Sequence, residues 1–314
     1  MKTRAAARTL TSTAVVGAGF GSSPRALRAC DFGCTLPSEE QLHPGASGRR
    51  QAVLLQCLGR LEEASPTAKY HRLAQANLAR WAEAAPAPDG GCRVRVLPGD
   101  WGEVTQAVTK EYGTTFACLN MANAYGPGGG YTDGMVAQEE NMFRRTDCHF
   151  SLDRADMDER ELYREEKTAL LNAANDRVYL DAARPRVCIC GPEDRERDDL
   201  GYAWLEDGEV FPFFELRAAA VDLRDPQLRY DHAETVRRVA AQLDTLAAAG
   251  VRHAVLSAFG CGAFQNPADK VAAAYCEALA ARKEHFDVVA FAIFHAGYGP
   301  NNYAPFAKEF ESWS

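Results

Sequence analysis

The tripeptide Gln138-Glu139-Glu140 follows, after a seven-residue spacer, the glycine triplet Gly128-Gly129-Gly130. Residues without a Cβ let a backbone approach a bulky ligand and aim successive N–H groups into one concavity, which suits a diphosphate. A carboxyl group beside such a cradle can protonate a departing oxygen, the step by which a glycosidic bond breaks through an oxocarbenium-like state. Together these are two parts that a glycosidic hydrolase of a phosphorylated substrate needs. Neighbouring residues of a helix point about a hundred degrees apart, at roughly 3.6 residues per turn, so Glu139 and Glu140 cannot do the same job. By themselves, a glycine triplet can be an ordinary turn, and a Glu-Glu pair can be two solvated acids on a helix dipole.

The elements around this block set its context. Thr114 to Asn120 is a short apolar run rich in β-formers and reads as a buried strand, whereas Met135 to Arg145 reads as a helix. Strand, glycine loop and helix is the order in which α/β proteins hold ligands at the carboxyl ends of their strands. Neither the Gly-Lys-Ser/Thr of a P-loop nor Rossmann glycine spacing is present.

The block from Asn120 to Gly130, with its spacer and Gln138-Glu139-Glu140, resembles the signature of poly(ADP-ribose) glycohydrolases, particularly the compact bacterial type. A second block, from Ser257 to Pro267, is similar to that family's other phosphate loop. The resemblance extends from about Arg50 to the end and is dense only in these two blocks. It implies a macrodomain-like three-layer α/β/α sandwich with a mixed, largely parallel sheet. It also implies that Glu140 is the acid/base, that Glu139 holds a ribose hydroxyl of the scissile unit, and that Asn123 hydrogen-bonds the distal ribose. An amide suits a diol because it donates and accepts. Gly128, Gly129, Gly130, Gly260 and Gly262 would give N–H groups to the diphosphate, with Cys261 and Ala263 part of the same loop. Phe264 would pack on the distal ribose, and Gln138 would hold loop or substrate through its amide. Cys261 reads as a small residue packed under its loop rather than a nucleophile, since the nearest histidine in sequence, His253, lies across the preceding strand. Because a helix N-terminus favours an ionised carboxylate, the acid is expected to have its pKa raised by desolvation when substrate closes the site.

The rest of the chain must position these groups. Its 314 residues, 46% of them hydrophobic and 25% charged, suffice for one large domain with an appendage and argue against a disordered or fibrous protein. Up to Asp31 the chain carries five basic residues and no acid, the composition of a transit peptide or of a disordered tail. Residues 1–48 are therefore set apart from the core, and residues 49–314 are assigned to the domain, with 49–90 an accessory helical layer. Val53, Leu54, Cys57, Leu58 and Leu61 form one apolar helix face; Ser65-Pro66 restarts a second helix bearing Tyr70, Leu73, Ala74, Leu78 and Trp81. Both helices are expected on the outside as scaffold.

Beyond Cys92, strands alternate with helices: Val94 to Leu97, a helix capped by Asp100, Phe116 to Leu119, Val187 to Ile189, two strands flanking Asp207-Gly208, and a run from Val210 to Val221. A helix opening at Asp231 or His232 and closed by Gly250, the strand Val251 to Phe259, a helix from Ala268 to Ala281, and the strand Phe286 to Phe294 complete the series. The segment from Phe211 to Val221 matches no family pattern and leaves the leaving-group side undefined. Asp153 to Lys167 and Glu193 to Asp199 read as solvated faces or loops, and Tyr298, Tyr303 and Phe306 as anchors of the terminal helix.

Composition bounds the partners. Ten scattered cysteines without zinc-ligand spacing read as reduced, mostly buried thiols of an intracellular protein, in cytoplasm or nucleus, or in an organelle if the tail is a transit peptide. No metal and no cofactor is expected, and no apolar stretch reaches membrane-spanning length. The net charge of −8 argues against sequence-specific nucleic-acid binding and means that an anionic ADP-ribose polymer or ADP-ribosylated protein must be held by local contacts. Three functions fit: cleavage of the polymer, removal of single ADP-ribose units from a side chain such as arginine, and ADP-ribose binding without cleavage. Retention of both glutamates argues against the last.

Overall fold

The computed structural model describes residues 33–64, 68–86, 90–295, 297 and 299–313. The basic tail up to residue 32, the Ser65-Pro66 restart and Tyr298 lie outside them. Two N-terminal helices, α1 (Gly45–Ala64) and α2 (Lys69–Ala84), precede β1 (Arg93–Pro98), α3 (Trp101–Tyr112), β2 (Ala117–Met121) and α4 (Gln138–Arg145). Then follow α5 (Glu165–Leu171), β3 (Tyr179–Cys188), β4 (Phe211–Ala218), α6 (His232–Ala248), β5 (His253–Ser257), α7 (Ala268–Ala280), β6 (Val288–Ile293) and α8 (Tyr303–Glu309).

The strands form one sheet in the order β1-β6-β5-β2-β4-β3. The β1/β6, β6/β5, β5/β2 and β2/β4 pairings are parallel, and only β3 runs antiparallel, against β4. Parallel strands need crossovers that bury both faces, and β6 shows the result in its sequence, an unbroken apolar run. Val288, Ala290 and Ala292 face the layer of α1, α2 and α3, while Val289, Phe291 and Ile293 face that of α6, α7 and α8. The expected three-layer sandwich is therefore formed by two cores separated by the sheet. Caps set the element ends as expected: Asp100 and Glu103 form a capping box on α3, Asp231 accepts from Glu234 N–H at the start of α6, and Gly250 takes φ +68° beyond its end.

Several elements differ from expectation for physical reasons. The helix expected from Met135 starts only at Gln138, because Met135 N–H turns back to Gly130 C=O. Upstream of Asp207-Gly208 there is no strand; Trp204 makes a single bridge with Cys190. The segment from Phe211 is the interior strand β4, buried along nearly its whole length. The first two helices are more than outer scaffold. Helix α1 packs against α4 and against the turn Tyr131–Asp133, where buried Gln51 donates to Thr132 C=O (2.8 Å) and accepts from His43 N–H (2.7 Å). Residues before Arg49 also contribute: Cys34 N–H donates to the Tyr131 hydroxyl, and Thr35 bonds Glu161 through N–H and Oγ1. The 1–48 boundary thus falls inside the folded unit, which takes in residues from Gly33 onward.

One polar knot lies in the sheet interior. Glu215 on β4 is completely buried and accepts from Arg217 Nε (2.6 Å), from Arg217 Nη2 (2.9 Å) and from Asn120 Nδ2 (2.9 Å) of neighbouring β2. Burial opposes its charge, but the Arg217 and Arg186 guanidiniums and the Asn120 amide prevail and hold the carboxyl down at about 2. Removing Glu215 leaves the buried Arg217 guanidinium without its carboxylate, while Arg186 keeps Asp181. Glu215→Ala should therefore cost about 3–5 kcal/mol in urea unfolding; a loss below about 1 kcal/mol, the range of an exposed pair, would show the knot to be dispensable.

Candidate functional site

The carboxyl ends of β1, β2, β5 and β6 open into a cavity of about 360 Å³. Its walls include Asn123 and Gly130 after β2, Gln138 to Asn141 of α4, Gly260 and Gly262 to Phe264 after β5, and Phe294 after β6. Both sequence blocks therefore meet at one place.

In the first loop, glycine serves carboxylates rather than phosphate. Gly128 and Gly129 have φ of +70° and +60°, and their chain turns tightly, with Gly129 N–H donating to Gly126 C=O (2.9 Å). Gly130 N–H donates to Glu140 Oε1 (3.1 Å). A Cβ on Gly129 would lie 2.4 Å from Glu140 Oε1 and 3.2 Å from Glu139 Oε2, and one on Gly128 would strike the Tyr131 ring at 2.5 Å. Gly128 and Gly129 accordingly sit behind the cavity, and the triplet's N–H groups at Gly129 and Gly130 are engaged within the protein, while that of Gly128 has no partner among the described residues.

Asn123 N–H donates to Glu139 Oε2 (2.7 Å). The Asn123 side-chain carbonyl accepts from Tyr125 N–H (2.8 Å) and Gly126 N–H (2.9 Å), so the loop itself consumes it and only the Nδ2 donor remains for a ligand. Gln138 is likewise spent: Oε1 accepts from Met121 N–H (2.9 Å) and Nε2 donates to Leu119 C=O (2.7 Å). It pins the start of α4 to the end of β2 with both ends of its amide.

Each carboxylate ends up with one oxygen tied and the other buried without a partner at the cavity wall. Glu139 and Glu140 are buried, and Glu139 Oε1 and Glu140 Oε2 have no hydrogen-bond partner. Burial raises the Glu139 carboxyl well above its ordinary range and the charge of Glu140 adds to this, against the Asn123 N–H and the Arg217 charge, which lower it. At Glu139 desolvation thus outweighs the helix terminus before any ligand arrives. Ala137 occupies the N-cap position and offers no side chain, leaving the first N–H groups of α4 uncapped beside the cavity.

The second loop keeps three of its amides open. Gly262, Ala263 and Phe264 line the cavity, and their N–H groups have no hydrogen-bond partner among the described residues. Gly260, at φ +73°, cannot take a side chain, since a Cβ would meet Ala220 Cβ at 2.5 Å. Asn266 staples the loop by donating from Nδ2 to Val221 C=O (2.8 Å) and Gly260 C=O (3.1 Å). Cys261 is buried and faces inward; burial pushes its thiol up to about 12, with Asp269 adding to it, so it is no nucleophile. Phe264 lies on the wall as expected, with the Arg224 guanidinium 5.1 Å from its ring centroid.

Other wall residues carry no signal in the sequence blocks. Met135, Val136 and Phe294 present exposed apolar surface, and Glu193, Arg195 and Arg224 bring charge to the cavity. Phe294 could have been found from its place just after β6, at the carboxyl end of a parallel strand. Glu193 was placed in a solvated run, yet its side chain is 6% exposed and paired with Arg50. A second, more open depression of about 700 Å³ lies at the opposite strand ends, around Cys92, Arg252, Lys283 and Trp313. Its charges are mostly paired, Arg252 with Asp287, and no adjacent carboxylates face it.

The pattern of the microbial-type PARG (poly(ADP-ribose) glycohydrolase) catalytic domain matches residues 54–182. The structure is similar to that of poly(ADP-ribose) glycohydrolase from Thermomonospora curvata, at 24% identity and TM-score 0.58, over 83% of this chain and 99% of that one. The same protein bound to the inhibitor ADP-HPD gives a TM-score of 0.57. The Deinococcus radiodurans glycohydrolase in complex with ADP-ribose is similar at 23% identity and TM-score 0.52, over 78% of this chain and 91% of that one. These likenesses establish the fold as that of macrodomain-like glycohydrolases. No protein of curated function matches the chain.

A carboxyl that holds its proton more tightly when folded destabilises the fold as pH rises between its unfolded and folded pKa, because the unfolded chain ionises first. Glu139→Gln removes that cost. It should raise Tm by about 2–5 °C at neutral pH, with the gain vanishing as pH falls below the ordinary carboxyl range. A Tm difference independent of pH would contradict the raised pKa.

Proposed function

We propose that this protein, whose residues 54–182 carry the microbial-type PARG pattern, hydrolyses the ribose–ribose O-glycosidic bonds of poly(ADP-ribose) and releases ADP-ribose. The observation that carries this is the carboxylate pair: each acid is fixed by one backbone N–H and keeps one buried oxygen unpaired in a cavity that also holds three unpaired amides. A binding module has no need to bury two adjacent acids against an anionic ligand, whereas proton transfer does.

In this assignment the N–H groups of Gly262, Ala263 and Phe264 and the uncapped start of α4 take the diphosphate. The Asn123 Nδ2 donates to a ribose hydroxyl, Phe264 covers the distal ribose, and Glu139 Oε1 accepts from a hydroxyl of the scissile unit. Glu140, held by Gly130 N–H, gives its proton to the departing oxygen and then takes one from the attacking water.

Glu140→Gln should lower release of ADP-ribose from the polymer by about 100- to 10,000-fold. Binding of ADP-ribose, read by calorimetry, should stay within about threefold of wild type. Wild-type turnover confined to an arginine-linked mono-ADP-ribosylated protein would move the assignment to single-unit removal, and binding without turnover would make the protein a reader.

Two further outcomes follow. Because Glu139 is raised, the alkaline limb of kcat/KM should lie above the ordinary carboxyl range already in the free enzyme; a limb within that range would oppose a protonated Glu139 in the working site. The two cavity arginines are each paired with a carboxylate, Arg195 with Glu193 and Arg224 with Asp222, so anion binding rests on amides. Affinity for ADP-ribose should then fall less than about tenfold between 50 and 200 mM salt, where many-contact nucleic-acid binders lose a thousandfold or more.

A further inference from the structure

Residues 190–204 fold back on themselves beside the cavity, joined by the bridges Cys190 to Trp204 and Glu193 to Gly201. At the turn back, Leu200, Gly201 and Tyr202 all adopt left-handed backbone angles, with φ of +61°, +72° and +54°, a conformation that is costly for the two that carry side chains. The result delivers the Tyr202 hydroxyl into the protein interior. There it donates to Glu193 Oε2 (2.6 Å) and accepts from Arg144 Nε (2.8 Å) and, at 3.4 Å, from Asn141 Nδ2. Glu193 is fixed from its other side by Arg50 of α1, Nη2 to Oε1 at 2.8 Å.

Arg144 and Asn141 belong to α4, the helix that bears both acids. Arg144 is fully buried, and its Nη1 donates to Met135 C=O (2.8 Å). Met135 N–H in turn donates to Gly130 C=O (3.1 Å), its side chain fills the space above Gly130, and Gly130 N–H holds Glu140. An unbroken run of contacts therefore leads from the Tyr202–Glu193 pair through Arg144, Met135 and Gly130 to the Glu140 carboxylate.

We propose that Tyr202 and Glu193 are positioning residues for Glu140: they lock Arg144, and through it the Met135–Gly130 segment, so that the Gly130 N–H stays aimed at the carboxylate. This rests on the glycohydrolase assignment for its kinetic consequence but not for its structural one. Misplacing an acid by a fraction of an ångström affects the chemical step more than binding.

The test uses the full chain with Tyr202→Phe and Glu193→Gln, two substitutions that keep volume. In polymer cleavage, kcat should fall about 10- to 100-fold with KM and the ADP-ribose Kd changed less than about twofold. Amide hydrogen exchange, read residue by residue, should speed up at Gly130 and not at Gly129, whose N–H is bonded within the loop to Gly126. Equal acceleration at both amides would mean general loosening and overturn the proposal, as would an unchanged kcat in a variant that folds. If one variant fails to fold, the other decides. A wild type without polymer turnover would remove the functional assignment alone, because the Gly130-to-Gly129 comparison still tests the positioning.

Discussion

The close seating of two carboxylates against a bare glycine loop is the constraint on which the site depends. Glu140 can reach Gly130 N–H only because Gly129 lacks a side chain, and Glu139 reaches Asn123 N–H only because the loop leaves β2 in a turn that the Asn123 side chain stabilises. Each bond satisfies one oxygen and leaves another buried without a partner. Such an arrangement is unfavourable for the free protein, since a buried, unpaired acceptor loses water without gaining a bond. It persists because the surrounding structure over-determines it.

That surrounding structure is mostly polar and mostly distant in sequence. Gln138 ties the head of α4 to β2; Arg144 and Arg145 tie its tail to Glu193, Tyr202 and Asp100; Gln51 of α1 holds the turn that follows the glycines. The Glu215–Arg217 knot then fixes β2 against β4 directly beneath. An eight-residue helix has little stability of its own, so its orientation comes from these contacts rather than from propensity. The polar network thereby links ordinary α/β packing to a site that needs carboxylates held in one place.

Buried carboxylates and open amides are divided between the two loops. The first, though rich in glycine, spends the Gly129 and Gly130 N–H groups on itself and on Glu140, while the second keeps three amides open. Glycine content alone could not reveal this, because a glycine that permits close approach and a glycine that exposes an amide look the same in a sequence.

Most of the order of elements, the caps at Asp100 and Gly250, the buried strands β2, β5 and β6, and the placing of Asn123 just after β2 and of Glu139 and Glu140 at the start of the next helix were determined by the sequence itself. Apolar period, cap residues and glycine spacing are local properties, and strand–loop–helix order puts ligands at strand ends. The tertiary structure alone decided which amides remain free, that Gln138 and the Asn123 carbonyl are already engaged, that Glu139 is desolvated in the free protein, and that Glu193 and Tyr202 reach α4. Hydrogen-bond occupancy and desolvation are set by what packs on a group from far along the chain. Arg50 and Glu193, 143 residues apart, meet only after folding, and no local pattern encodes such a meeting.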